Sequence, residues 1–193
     1  MSNAPPPASR RQRLVPLGGP AAEATEREVA TEVPVALEFN GIAYAVMMAS
    51  PTDLEDFITG FAIAERLIGP YGTLGEIAVS TLEAGLVVRA NLGPSAAERV
   101  FARARTRVAE SSCGLCGVEN LAALAAPLPA VDAPLTLDAA AVARALEALP
   151  AVQTLGRATA ATHAAALALP DGTLVLARED VGRHNALDKA IGA

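Results

Sequence analysis

Hydrophobic and polar positions alternate most clearly in the first third of the chain. Residues 33–39 and 42–48 are runs rich in strand formers, separated by Asn40-Gly41. That pair best accepts the positive φ angles of a two-residue hairpin turn. The period then changes to that of a helix. Ser50 is placed as its cap, with Pro51 at the first position and Asp53 three residues after the cap. Leu54, Phe57, Ile58, Phe61 and Ala64 form the apolar stripe, and Gly69-Pro70 ends it. Residues 76–82 and 86–91 predict a second hairpin, with Gly85 in its turn. Helical spacing returns over 95–109, with Val100, Phe101, Ala104 and Val108 on one face and Arg99, Arg103 and Arg107 on another. Like charges four apart cost ~0.2–0.5 kcal/mol per pair. They become useful where an anion docks.

Further along, a short helix is expected over 118–125, then a connector marked by Pro127, Pro129 and Pro134. Residues 138–149 predict an amphipathic helix stopped by Pro150. Residues 158–169 read largely as a strand, Pro170-Asp171-Gly172 as a turn, and 174–177 as another strand. A loop running into a helix closes the chain. Residues 1–28, rich in Pro, Ala, Gly and Arg without apolar periodicity, read as a disordered tail, with Arg10, Arg11 and Arg13 in a solvated arm. The remainder, 29–193, is expected to be one α/β domain with a mixed sheet and helices packed on it.

Composition narrows the function. The chain has 193 residues, is 52% hydrophobic and only 3% aromatic, and carries a net charge of −6. A nucleic-acid binder would be basic and would offer aromatic stacking platforms, so that class is disfavoured. No apolar run reaches the ~18 residues of a membrane span, and the first residues lack the apolar centre of a signal peptide. A cytoplasmic protein is expected, with no membrane partner. In a reducing compartment, two cysteines point to catalysis or metal binding more than to a structural disulfide.

Both cysteines fall in one C-x-x-C, Cys113-Gly114-Leu115-Cys116, inside Ser111-Ser112-Cys113-Gly114-Leu115-Cys116-Gly117. The glycines leave room for a bulky partner, and the predicted helix that follows would favour a thiolate. Three chemistries fit. A zinc site needs four ligands, and beyond the cysteines only His163 and His184 are obvious candidates, at unusual spacing. Dithiol–disulfide exchange fits poorly with a mid-chain motif flanked by Ser and Gly. Persulfide carriage fits a glycine-framed loop. A zinc deaminase fails on its key residues, because the C-x-x-C precedes both histidines and neither begins an H-x-E.

The second dense stretch is Glu179-Asp180-Val181-Gly182-Arg183-His184-Asn185-Ala186-Leu187-Asp188-Lys189. If it is helical from Arg183, His184 and Asp188 share one face and Asn185 and Lys189 another. Asp180 could cap the start. The alternatives are a capped helix with a solvated face, or a ligand site for phosphate or guanine edges.

These two stretches, with the opening segment EVPVALEFNGIAYAVMMASPTDLEDFITGFAIAE, resemble the FdhD family of formate dehydrogenase accessory sulfurtransferases over about residues 32–192. The resemblance implies a cytidine-deaminase-like three-layer core without zinc chemistry, preceded by the hairpin and helix. It implies transfer of persulfide sulfur from a cysteine desulfurase to the bis-guanine-dinucleotide molybdenum cofactor, before formate dehydrogenase receives it. That cofactor would be a bound substrate, and no tightly held metal is expected. By the same resemblance Cys113 carries the persulfide and Cys116 assists. Thr162, His163, Asp180, Gly182, Arg183, His184, Asn185 and Lys189 would line the cofactor pocket. A homodimer is expected, with the desulfurase and formate dehydrogenase as further partners. The family pattern Thr-Gly-Gly-Thr-His is here Thr159-Ala160-Ala161-Thr162-His163, and family members continue beyond position 193. A cofactor-binding chaperone with a redox-sensing dithiol, or an inactive shortened member, are the rival readings.

Overall fold

The computed structural model describes residues 4–15, 24–69, 71–94, 96, 97, 100, 130–132 and 134–193. Cys113, Cys116, the arginines at 99, 103 and 107 and the predicted 118–125 helix lie outside the described residues. The chain is a mixed α/β protein. A four-stranded sheet forms from β3 (Val33–Phe39), β4 (Ile42–Ala49), β5 (Ile77–Leu82) and β6 (Gly85–Ala90) in the order β4-β3-β6-β5. β3 runs antiparallel to β4 and parallel to β6, and β5 is antiparallel to β6, so the sheet is mixed. The turn between β3 and β4 places Asn40 at φ 52° and Gly41 at φ 76°, as the dipeptide predicts. Asn40 also ties the turn to the end of β6: its Oδ1 accepts from the Leu92 amide at 2.7 Å and its Nδ2 donates to the Leu92 carbonyl at 3.2 Å.

Strand alternation puts Val35, Leu37 and Phe39 fully inside. The helix α1 (Leu54–Ala64) covers them with Leu54, Phe57, Ile58, Phe61 and Ala62. Phe39, Tyr44, Phe61 and Phe57 follow one another edge to face, with centroids 5.6–6.4 Å apart. Ala64 is exposed, and Gly60 takes the inward place instead.

Four sequence expectations change. Ser50 does not cap α1; Asp53 is the cap residue, in a left-handed conformation with no side-chain bond. Ser50 is withdrawn from that role because the far end of the chain uses all its polar atoms, as described below. The strand expected over 158–169 is split: α2 (Ala139–Val152) is followed by α3 (Thr154–Thr159), and β7 starts only at His163 and ends at Ala168. Asp138 caps α2 by accepting from the Ala140 amide, but Pro150 does not stop that helix. The Arg157 guanidinium donates to the Pro150 and Ala151 carbonyls, which lets the last turn close without its usual partners.

The fourth change concerns residues 1–28. β1 (Ser9–Leu14) pairs antiparallel with β2 (Thr25–Ala30), where a disordered arm is expected from composition. Complementary charges face each other across the pair. Arg11 stands 3.8 Å from Glu26 and 3.6 Å from Glu28, and Ser9 donates to Glu28 at 2.8 Å. Such contacts are invisible to a reading based on apolar periodicity.

The chain closes with β8 (Leu174–Asp180), antiparallel to β7, and the helix α4 (Arg183–Gly192). α4 packs against α1 through glycines. A Cβ on Gly60 would lie 1.7 Å from the Asp188 carbonyl oxygen, and one on Gly192 would lie 2.0 Å from the Asp56 carbonyl oxygen. Neither backbone can retreat without lifting the helix. Gly60→Ala is therefore expected to lower stability by about 3 kcal/mol or more, read by urea unfolding; a change under about 0.5 kcal/mol would show that the two helices do not meet there.

Candidate functional site

Asp180 ends β8, and Lys189 sits in the second turn of α4. Both are 0% exposed, and Lys189 Nζ lies 2.6 Å from Asp180 Oδ2. Two charges taken out of water are stable only if every remaining donor and acceptor is satisfied. Here they are well supplied. Asp180 Oδ2 also accepts from the Ser50 amide at 2.9 Å. Oδ1 accepts from the Gly182 amide at 2.7 Å and from Asn185 Nδ2 at 3.1 Å. Lys189 donates to the Ser50 carbonyl at 3.0 Å and to Thr52 Oγ1 at 3.5 Å, and stands 5.8 Å from the Phe57 ring centroid. Asn185 Nδ2 reaches the Met48 carbonyl at 2.8 Å, and the Ser50 hydroxyl accepts from the Val181 amide at 3.1 Å. Asp180, Asn185 and Lys189, expected to line a pocket, are thus turned inward and spent on the β4–α1 connection. The helical spacing of Asn185 and Lys189 is as predicted; it places them on the buried face.

The outer half of the motif differs. Arg183 is exposed, and Gly182 and His184 are half-buried at the start of α4. The β7–β8 register sets His163 opposite Asp180 and Ala164 opposite Glu179. Two stretches 16 residues or more apart therefore meet, and Thr162-His163 lies beside the 179–184 segment. Glu179 makes the junction. Its Oε2 accepts from the Leu155 amide at 2.9 Å; its Oε1 accepts from the Gly156 amide at 2.7 Å and the Thr162 hydroxyl at 3.2 Å. The carboxylate thus caps α3 and holds Thr162 at once. Ala160 follows α3 at φ 53°, a left-handed position where glycine is the favoured residue.

β8 is further anchored by Arg178, whose Nε lies 2.7 Å from Asp56 Oδ2 and 3.6 Å from Asp53 Oδ1. Sequence reasoning missed Ser50 and Arg178 as members of this assembly, because their partners lie more than 120 residues away in the chain. Elsewhere on α4, burial and the nearby Glu65 carboxylate push Asp188 up to about 7. Glu65 itself accepts from the Tyr44 hydroxyl at 3.0 Å. Among the described residues, no group of three or more His, Cys, Asp or Glu is arranged to hold a metal ion. No described helix is long and apolar enough to cross a membrane.

The FdhD/NarQ family matches residues 30–193. A "Sulfur carrier protein FdhD" from Variovorax paradoxus is 46% identical over 165 residues, which are 86% of this chain and 59% of that one. A protein of the same name from Bordetella parapertussis is 47% identical over 166 residues, 86% of this chain and 60% of that one. This chain therefore spans about three-fifths of the length of these curated relatives. A crystal structure described as that of a formate dehydrogenase accessory protein from Desulfotalea psychrophila superposes with a TM-score of 0.64 at 26% identity. The match covers 96% of this chain and 66% of that one.

The raised Asp188 predicts a pH dependence. The folded protein retains a proton that the unfolded chain releases above the ordinary value of 3.8. Stability should then fall as pH rises from about 4 to about 7 and level off beyond. Asp188→Asn removes that contribution. Its stability relative to the parent should climb across the same window and plateau near pH 8, followed by urea unfolding at a series of pH values. A constant difference between the two proteins would show that Asp188 is ionised normally.

Proposed function

Because this chain belongs to the FdhD/NarQ family, we propose that it is a sulfur carrier acting in the maturation of formate dehydrogenase. One observation carries the reading. The family match over 30–193 includes both the C-x-x-C at 113–116 and the 179–189 motif. The names of the relatives point the same way.

In this reading the thiolate of Cys113 attacks the outer sulfur of a persulfide on a cysteine desulfurase. The donor S–S bond breaks, the donor thiolate leaves, and Cys113 becomes S–SH with no net oxidation. Two outcomes balance. The outer sulfur can pass to an acceptor, which regenerates the Cys113 thiolate. Alternatively, Cys116 attacks the inner sulfur, hydrosulfide leaves with the bonding pair, and a Cys113–Cys116 disulfide remains for a thiol to reduce. The acceptor is the bis-guanine-dinucleotide molybdenum cofactor, held as substrate. Thr162, His163, Gly182, Arg183 and His184 face it, and Asp180, Asn185 and Lys189 hold that face from beneath. An exposed guanidinium and two imidazoles suit a ligand carrying two pyrophosphates. The setting is the cytoplasm, and a homodimer is the proposed assembly.

The test is mass spectrometry of the full chain after incubation with a cysteine desulfurase and cysteine. Cys113 is expected to gain about 32 Da, one sulfur atom, and Cys113→Ala to gain nothing at that position and to lose support of formate dehydrogenase activity. An unmodified Cys113 beside a control carrier that does gain sulfur contradicts the proposal. Persistent support by Cys113→Ala under reducing conditions would favour a chaperone that uses its dithiol only as a redox sensor.

A further inference from the structure

Glu179 stands where three parts of the chain meet, and no activity so far described uses it. Its carboxylate receives two amides from the start of α3 and the hydroxyl of Thr162. Gly156 makes the approach possible: a Cβ there would sit 3.0 Å from Glu179 Oε1 and 3.3 Å from Thr162 Oγ1. Thr162 immediately precedes His163, the first residue of β7, and His163 is exposed. The segment between, Ala160-Ala161, contributes little of its own. Ala160 is in a left-handed turn, and the Ala161 amide reaches only the Thr159 hydroxyl, at 3.3 Å. The Thr162 side chain is therefore a tether at the start of β7, added to the backbone pairing of His163 with Asp180.

We infer that Glu179 is a positioning residue: through Thr162 it fixes the His163 imidazole at the face where a guanine-nucleotide ligand would bind. The ligand part of this inference rests on the proposed function; the positioning part stands on the geometry alone. A charged acceptor holds a hydroxyl more tightly than a neutral one. Among the described residues, no third strand joins the β7–β8 ribbon to impose the register independently.

The full chain is compared with Thr162→Val, Thr162→Ser, Glu179→Gln and the Thr162→Val/Glu179→Gln pair. Thr162→Val leaves the carboxylate on α3, so it separates the tether from the cap. Two readouts are taken: the His163 ring cross-peaks in a carbon–proton spectrum, and titration with guanosine diphosphate as probe. The His163 peaks should move in Thr162→Val and Glu179→Gln, and stay in place in Thr162→Ser. Affinity for the probe should fall about tenfold in each moved variant, as for loss of a charge-assisted hydrogen bond. The double variant should fall no further, because one interaction is being removed twice. Unmoved His163 peaks in both Thr162→Val and Glu179→Gln overturn the inference. Moved peaks in those two variants, with a parent chain that does not bind the probe, uphold the positioning and count instead against the ligand reading.

Discussion

A lysine and an aspartate sealed from water hold the two ends of this chain together. Lys189 and Asp180 cannot exist as buried charges unless Ser50 supplies its amide and its carbonyl, Asn185 its amide group, and Gly182 its backbone N–H. Ser50 comes from the β4–α1 connection, and Gly182 and Asn185 from the start of α4. The pair is therefore satisfied in only one relative placement of the β4–α1 connection, the end of β8 and α4. Removing one partner of such a pair typically costs about 3–5 kcal/mol, because the other is left charged and dry. Its value lies as much in specifying that placement as in net stability.

The rest of the site is built outward from this clamp. α4 can lie against α1 only because Gly60 and Gly192 let the backbones touch, and that contact aligns Lys189 with Asp180. Once β8 is fixed by its last residue, its antiparallel partner brings Thr162 and His163 alongside. The same eleven-residue motif then serves two purposes. Asp180, Asn185 and Lys189 face inward and are consumed. Arg183 is exposed and His184 half-buried at the start of α4, and the exposed His163 opens β7. The division leaves a rigid underside and a polar outer face.

Much of this was legible from the residues. Asn40-Gly41 and the alternation around it mark the first hairpin, because both signals are local. The helical spacing of Asn185 and Lys189 was also legible, as was the density of polar groups over 179–189. What spacing could not tell was which face turned inward: a lysine and an asparagine four apart look the same on a ligand site and in a core. Only Ser50, 130 residues from Asp180, decides the matter, and nothing near Ser50 announces it. Local rules make Ser50 a helix cap; the tertiary bonds outcompete that role. Charged strand pairing in β1 and β2, and the Arg157 contacts that carry α2 past Pro150, escaped for the same reason. Both depend on partners that apolar periodicity does not record.

Lys189 is the single lysine of the chain, so its burial can be read without ambiguity. The native protein is treated with an amine-acetylating reagent, and adducts are located by peptide mass spectrometry before and after unfolding in guanidinium. A clamped Lys189 should remain unmodified while the α-amino group reacts, and should be acetylated only once the chain is unfolded. Acetylation of Lys189 in the folded protein at a rate like that of the α-amino group would mean that the ammonium is free in solution, and that the Asp180–Lys189 clamp does not exist.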